Sequence, residues 1–69
     1  MSEWISIYKD KDQYKVELIK NELINNDIEA VVLNKVDHNY PILGFSELRV
    51  MSDDKFRAEV LVNQYLLND

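Results

Sequence analysis

The stretch IEAVVLNKVDHNYPILGFSELRVM, residues 28–51, decides the fold because it contains two strand-like segments in succession. Residues 28–34 are rich in β-branched and other apolar side chains, and residues 46–51 alternate between polar and apolar ones. Both patterns are typical of β-strands, and the consecutive apolar residues of the first segment predict burial from both sides. The loop between the strands, residues 35–44, is longer than the roughly 2–5 residues usual in a hairpin.

The residues before this stretch predict a strand followed by a helix. The segment EWISIYK, residues 3–9, alternates and predicts the strand. Asp10 is expected to cap the helix while Gln13 completes a capping box, and the helix is expected to span residues 11 to about 25. Its predicted core stripe, at helical spacing, consists of Val16, Ile19 and Leu23.

The residues after the stretch predict a second helix. Ser52 or Asp53 is expected to cap it, and the acidic side chains of Asp53 and Asp54 in its first turn suit the positive end of the helix dipole. The helix is expected to end near Leu66, and its predicted core stripe comprises Ala58, Leu61, Val62 and Tyr65. A further apolar set can serve either to pack the two helices together or to contact a partner. That set consists of Phe56, Val60 and Leu67, with Tyr14 and Leu18 on the first helix.

The resulting order β-α-β-β-α predicts a single α+β domain over residues 1–69. A right-handed crossover, with the third strand inserted antiparallel between the first two, gives the strand order 1-3-2. The expected architecture is a ferredoxin-like two-layer sandwich, with a three-stranded sheet and two helices on one face. Because the last strand of that fold is missing, the first strand is expected to have an open edge, which invites strand exchange or pairing with another chain.

This layout leaves one face of the sheet without helices. If Ile5, Val32 and Leu48 point to the helices, alternation places several bulky apolar side chains on the opposite face. An exposed apolar patch of this kind usually marks an interaction site. We therefore predict self-association, or binding of a protein partner, through Trp4, Tyr8, Val31, Leu33 and Phe45.

Charge and composition exclude several classes of function. Eight basic residues against thirteen acidic ones give a net charge of −5, without a basic patch, so nucleic acid is not an expected partner. No segment resembles a signal peptide or a membrane span, which predicts a cytoplasmic protein without a membrane partner. The chain has no cysteine, and this removes disulfides and most zinc sites.

Candidate catalytic groups are few. Asp37 and His38 are adjacent, but the chain has no second His and no Cys to complete a metal site. A serine nucleophile would need the same His as its base, and no serine lies in a G-x-S-x-G turn. Gly44 stands alone and cannot form a glycine-rich phosphate loop. We therefore expect no enzymatic activity, no metal and no cofactor.

The long loop has two interpretations. The first is purely structural, with its apolar residues folded back on the sheet or on a neighbour. The alternative is a small-molecule-binding sensor, in which the loop holds an anionic ligand or a peptide. The hydrogen-bonding side chains available for this alternative are Asn34, Lys35, Asp37, His38, Tyr40 and Arg49.

Several segments together resemble a known family. Trp4-x-x-Ile7, VELIKNEL at 16–23, IEAVVLNK at 28–35 and GFSELRV at 44–50 follow the pattern of small bacterial signal-transducing proteins classified as domain of unknown function 2007. The resemblance spans nearly the whole chain. It implies a ferredoxin-like domain, similar in shape to the nitrogen-regulatory PII proteins but shorter, with no established reaction and no catalytic residues to carry over. Relatives commonly have Gly where this chain has Asp27, which raises a question about how the first helix ends.

Overall fold

A computed structural model describes residues 3–35 and 44–68 of the chain. The elements that these residues form are, in chain order, β1 (Trp4–Asp10), α1 (Gln13–Asn25), β2 (Ala30–Lys35), β3 (Phe45–Met51), a short 3₁₀ turn (Ser52–Asp54) and α2 (Lys55–Leu67). The predicted order β-α-β-β-α is therefore confirmed, and the strand and helix limits differ from the expected ones by one or two residues.

The strands described by these two ranges form one antiparallel sheet in the order β1-β3-β2. Both helices pack on the same face, where Leu48 and Val50 of the central strand are completely buried. The predicted ferredoxin-like α+β sandwich, with strand order 1-3-2, is confirmed. No helix in the described ranges is long and apolar enough to cross a membrane.

The core lies between the sheet and the two helices. The helices contribute residues of their predicted core stripes, since apolar residues spaced three and four apart share one side of a helix. Leu61 and Tyr65 of α2 are half-buried at its border. The fully buried apolar residues are Val16, Ile19, Leu23, Ile28, Leu48, Val50, Ala58 and Val62.

The start of α1 differs from the expected capping box. Asp12, not Asp10, is the N-cap, and its Oδ1 accepts a hydrogen bond of 3.2 Å from the backbone N–H of Lys15. Asp10 instead accepts from the backbone N–H of Asp12 at 2.9 Å and from the Tyr8 hydroxyl at 2.6 Å. Asp10 thereby orders the turn before the helix, because it bridges the end of β1 to the residue that caps α1.

A β-bulge in β1 corrects the predicted position of Tyr8. Ser6 pairs with Arg49 and Tyr8 pairs with Leu48, so Ile7 is an extra residue between two neighbouring positions of β3. A bulge of this kind reverses the alternation of side chains beyond it. Tyr8 consequently packs against the core with Ile7, instead of pointing away from the helices as predicted.

The prediction that β2 is buried from both sides is also wrong. In the strand order 1-3-2, β2 is an edge strand that is covered by helices on one side only. Val31 and Leu33 point away from the helices and are each 38% exposed. Its apolar run therefore contributes to two surfaces, the core and the face without helices.

Most of the further apolar set does not pack the two helices together. We call its members on α2, which are Phe56, Val60 and Leu67, the outer stripe of α2. Phe56 is 80% exposed and Leu67 is 84% exposed, while Tyr14 on α1 is also largely exposed. Val60 is exposed to a smaller extent, and Leu18 is half-buried. Of the two interpretations of this set, the helix–helix contact is wrong for Phe56, Leu67 and Tyr14.

Candidate functional site

The side of the sheet opposite α1 and α2 is the candidate functional site, and we call it the open face. Strand pairing determines its members, because Trp4 lies opposite Met51, Val31 opposite Arg49, and Leu33 opposite Glu47. The bulge adds Lys9 to this face by pairing it with Glu47. The open face consists of Trp4, Ser6, Lys9, Val31, Leu33, Lys35, Phe45, Glu47, Arg49 and Met51.

Large apolar side chains form a substantial part of the open face. Trp4 is 42% exposed at one end of β1, and Val31 and Leu33 are exposed along β2. Phe45 and Met51, at opposite ends of the central strand, are half-buried. Four of the five residues predicted for the interface, Trp4, Val31, Leu33 and Phe45, therefore lie on one surface, and Tyr8 does not.

A polar cluster occupies the centre of this face. The carboxylate of Glu47 lies 3.1 Å from Nη2 of Arg49 and 3.9 Å from Nζ of Lys35. A hydrogen bond from the Ser6 hydroxyl, helped by the Arg49 and Lys35 charges, holds the pKa of the Glu47 carboxyl below its ordinary value, although burial acts in the opposite direction. The cluster keeps a buried carboxylate ionised in the middle of an apolar surface.

Arg49 is the less satisfied member of this cluster. Its Nε is buried and has no hydrogen-bond acceptor within residues 3–35 and 44–68. Its guanidinium is about one-third exposed, so part of its charge faces outward from the sheet. The centre of the open face therefore presents a cation and a carboxylate side by side.

Lys9, which the bulge brings to the open face, extends the polar area toward one end of this face. Its Nζ lies 5.6 Å from the centre of the Phe45 ring, which is within the range of a cation–π contact. Lys35 lies at the same end, because it pairs with Phe45 on the other side of β3. This end of the open face is thus basic.

A concave groove lies at the opposite end. It encloses about 530 Å³ and is bordered by Trp4 and Val31 of the sheet, by Ile24 at the end of α1, and by the acidic residues Asp27 and Glu29. Ile24 is 48% exposed, so the groove adds to the apolar area of the open face. Sequence reasoning missed Ile24, because it lies next to the core stripe of α1 and not on it.

The residues predicted for a ligand-binding loop do not converge on one surface. Asn34 points to the helix side, where its Oδ1 accepts a 2.7 Å hydrogen bond from the buried Ser46 hydroxyl. Lys35 and Arg49 lie on the open face, and both contact Glu47. The other three predicted residues, Asp37, His38 and Tyr40, lie outside the described residues.

A small cleft lies beside the described ends of that loop. It encloses about 140 Å³ and is lined by Lys11, Asn34, Lys35 and Gly44, among others. Ligand sites usually enclose roughly 300–1,000 Å³. The described part of the cleft is thus smaller than the groove beside Trp4. In the same part of the chain, no group of three or more His, Cys, Asp or Glu side chains is placed to hold a metal ion.

Comparisons with known proteins identify no relative of this chain. No family model matches the chain, and neither the curated proteins nor the solved structures yield a match.

Proposed function

We propose that this chain is a non-catalytic regulatory or signal-transducing module that self-associates through the open face. The observation that carries the proposal is the exposure of Trp4, Val31 and Leu33 together on the side of the sheet opposite α1 and α2. Exposed apolar patches of this kind are uncommon on monomeric proteins and usually mark contacts with other molecules. The resemblance to small bacterial signal-transducing proteins supports the same role.

Trp4 is the expected energetic centre of the contact. Tryptophan is enriched among the residues that dominate interface energies, and its truncation at such a position costs about 2 kcal/mol or more. Trp4 also lines the groove with Ile24 and Val31, so a partner that fills this groove would bury the indole ring. The polar cluster around Glu47 then contributes orientation more than affinity.

The test is the mass of the particle over a dilution series. Wild type and Trp4→Ala are compared by light scattering and sedimentation equilibrium, and Phe56→Ala serves as a matched control because it removes an even more exposed aromatic ring from α2. We expect Trp4→Ala to shift the chain toward the monomer and Phe56→Ala to leave its mass unchanged. An unchanged mass for Trp4→Ala would exclude the open face. If Phe56→Ala alone lowered the mass, the outer stripe of α2 would be the interface.

The fluorescence of Trp4 provides an independent readout, since it is the only tryptophan of the chain. Burial of the indole on association moves its emission to shorter wavelength as the concentration rises. The midpoint of this shift should coincide with the midpoint of the mass change. Emission that does not depend on concentration, while the mass increases, would place the contact elsewhere.

A further inference from the structure

Charge is distributed unevenly along the strands of the open face. Asp27 and Glu29 border the groove beside Trp4, which makes that end acidic. Lys9 and Lys35 lie at the other end, around Phe45. Glu47 and Arg49 lie between them on the central strand. The face therefore has an acidic end and a basic end, and this polarity restricts how two copies can meet.

Two copies that pack face to face can be related by a two-fold axis along the strands or by one across them. A two-fold axis along the central strand places the basic end of one copy over the basic end of the other. Lys9 then lies two residues from Lys35 of the other copy, and Glu47 lies over Glu47. Like charges opposed in a closed interface cost several kcal/mol in general and disfavour this arrangement. An axis across the strands instead brings the acidic end of each copy over the basic end of the other.

The positions along the strands fit the second arrangement closely. Lys35 is level with Phe45, three residues from Leu48, and Glu29 precedes Ala30, which is level with Val50. Glu29 and Lys35 are thus equally far from Leu48, in opposite directions along β2. A two-fold axis that runs across the strands at the level of Leu48, parallel to the sheet, therefore places Glu29 over Lys35 of the second copy. The same axis places Glu47 over Arg49 of the second copy.

The same axis also accommodates the apolar residues. Trp4 is level with Met51, three residues from Leu48, and Phe45 lies at the same distance on the other side. Trp4 of one copy is consequently level with Phe45 of the other, on the neighbouring strand, where the two aromatic rings can contact each other. Lys9 of the other copy lies over Ser6.

We infer that the occupant of the open face is a second copy of this chain, related by a two-fold axis that crosses the strands at Leu48, with Glu29 of each copy paired with Lys35 of the other. This inference rests on the proposed self-association and adds its geometry. A three-stranded sheet of this length covers only about 300 Å² per copy before its side chains are counted. This small area is typical of weak contacts, so we expect dissociation constants in roughly the micromolar to millimolar range.

A charge exchange tests the geometry. The variants are Glu29→Lys, Lys35→Glu and the double variant E29K/K35E, which keeps the net charge of −5. The matched control set is Glu59→Lys, Lys55→Glu and E59K/K55E. These two residues form an exposed ion pair of 4.0 Å on α2, and their exchange alters the net charge by the same amounts. The dissociation constant of each variant is measured by sedimentation equilibrium at low salt, about 0.05 M, and again at about 0.5 M, where charges are screened.

We expect each single change on the open face to raise the dissociation constant about tenfold at low salt, because the pair occurs twice in a symmetric dimer. The double variant should return to the wild-type value, and the α2 controls should change little. If the single variants weaken association and the double variant does not restore it, the axis is wrong although the face is right. If none of the open-face charge variants has an effect while Trp4→Ala still dissociates the dimer, the Glu29–Lys35 pairing is overturned. A wild-type chain that stays monomeric up to millimolar concentration overturns both this geometry and the proposed function.

Discussion

The backbone N–H of Ile28 donates a 3.0 Å hydrogen bond to the carbonyl oxygen of Leu23, and the side chains of both residues are buried in the core. The N–H of Asp27 donates to the carbonyl of Ile24 at the same distance. This pair of bonds is the Schellman motif, which ends a helix through a residue in the left-handed conformation. That residue is Asp27, with φ 64°.

Asp27→Gly should therefore stabilise the fold. Glycine adopts positive φ without a clash of Cβ, which stabilises the folded chain. This stabilisation exceeds the entropic cost of ordering a glycine, so we expect the free energy of unfolding to rise by about 0.5–1 kcal/mol. The measurement is urea denaturation followed by circular dichroism. Asn26→Gly is the control, because Asn26 has φ −106° and its Nδ2 donates a 2.7 Å hydrogen bond to the carbonyl of Glu22. It should destabilise, and a destabilising Asp27→Gly would contradict the argument.

Leu48→Ala should cause a large loss of stability. Leu48 is completely buried in the middle of the central strand, and truncation of a buried leucine costs about 3 kcal/mol, a large part of what so small a domain has. Leu67→Ala removes the same atoms from an exposed position and should change the free energy of unfolding by less than about 0.5 kcal/mol. Both are compared by urea denaturation at one protein concentration, since association would shift the apparent stability. Equal losses for the two variants would show that the core is not centred on Leu48.

Periodicity predicted the element order and most of the core, and the strand order followed from the right-handed crossover and the split βαβ arrangement. Val16, Ile19 and Leu23 repeat at helical spacing, and an α+β chain of this order has few ways to bury such a stripe. Asp12 was harder to identify as the cap of α1, because Asp10 and Asp12 are both acceptable cap residues and the turn that separates them depends on the Tyr8 hydrogen bond.

The surface of β1 could not be predicted beyond Ser6. The bulge at Ile7 leaves no signature in the segment EWISIYK, since a β-branched apolar residue such as Ile7 is also typical of a regular strand. It exchanges Tyr8 for Lys9 on the open face, so the predicted surface was more apolar than the observed one at this end. Single-sequence alternation cannot detect such a shift, because it depends on how β1 pairs with β3.

Tyr8→Phe should raise the pKa of Asp10. The hydrogen bond from the Tyr8 hydroxyl to Oδ2 of Asp10, 2.6 Å long, is the main reason that the pKa of this carboxyl lies below its ordinary value of 3.8, and the N–H of Asp12 also contributes. Without the hydroxyl, the pKa should move up toward that value. The carboxyl carbon of Asp10 is titrated by NMR, with Tyr14→Phe as a control at an exposed ring. If the pKa of Asp10 were unchanged in Tyr8→Phe, the hydrogen bonds from backbone N–H groups would be sufficient to keep it low.

Glu47→Gln should reduce the sensitivity of the fold to acid. The folded chain holds the pKa of Glu47 below its ordinary value of 4.5, so the unfolded chain binds the proton more tightly. The resulting stabilisation is complete above that value and is lost as the pH falls through the lower pKa of the folded chain. We therefore expect the wild type to lose stability more steeply than Glu47→Gln below about pH 4.5 in urea denaturation. The stability of Glu47→Gln should still fall with pH, but less steeply, because the lowered pKa of Asp10 acts in the same direction.

The control for this pH dependence is Glu59→Gln, which removes an exposed carboxylate that lies 4.0 Å from Lys55 on α2. It should keep the acid slope of the wild type, because exposed ion pairs contribute little to stability. At neutral pH, Glu47→Gln should also be less stable than Glu59→Gln, since it leaves Arg49 and Lys35 without their shared carboxylate partner. A Glu47→Gln variant with the slope and stability of the wild type would show that the polar cluster contributes neither to folding nor to its pH dependence.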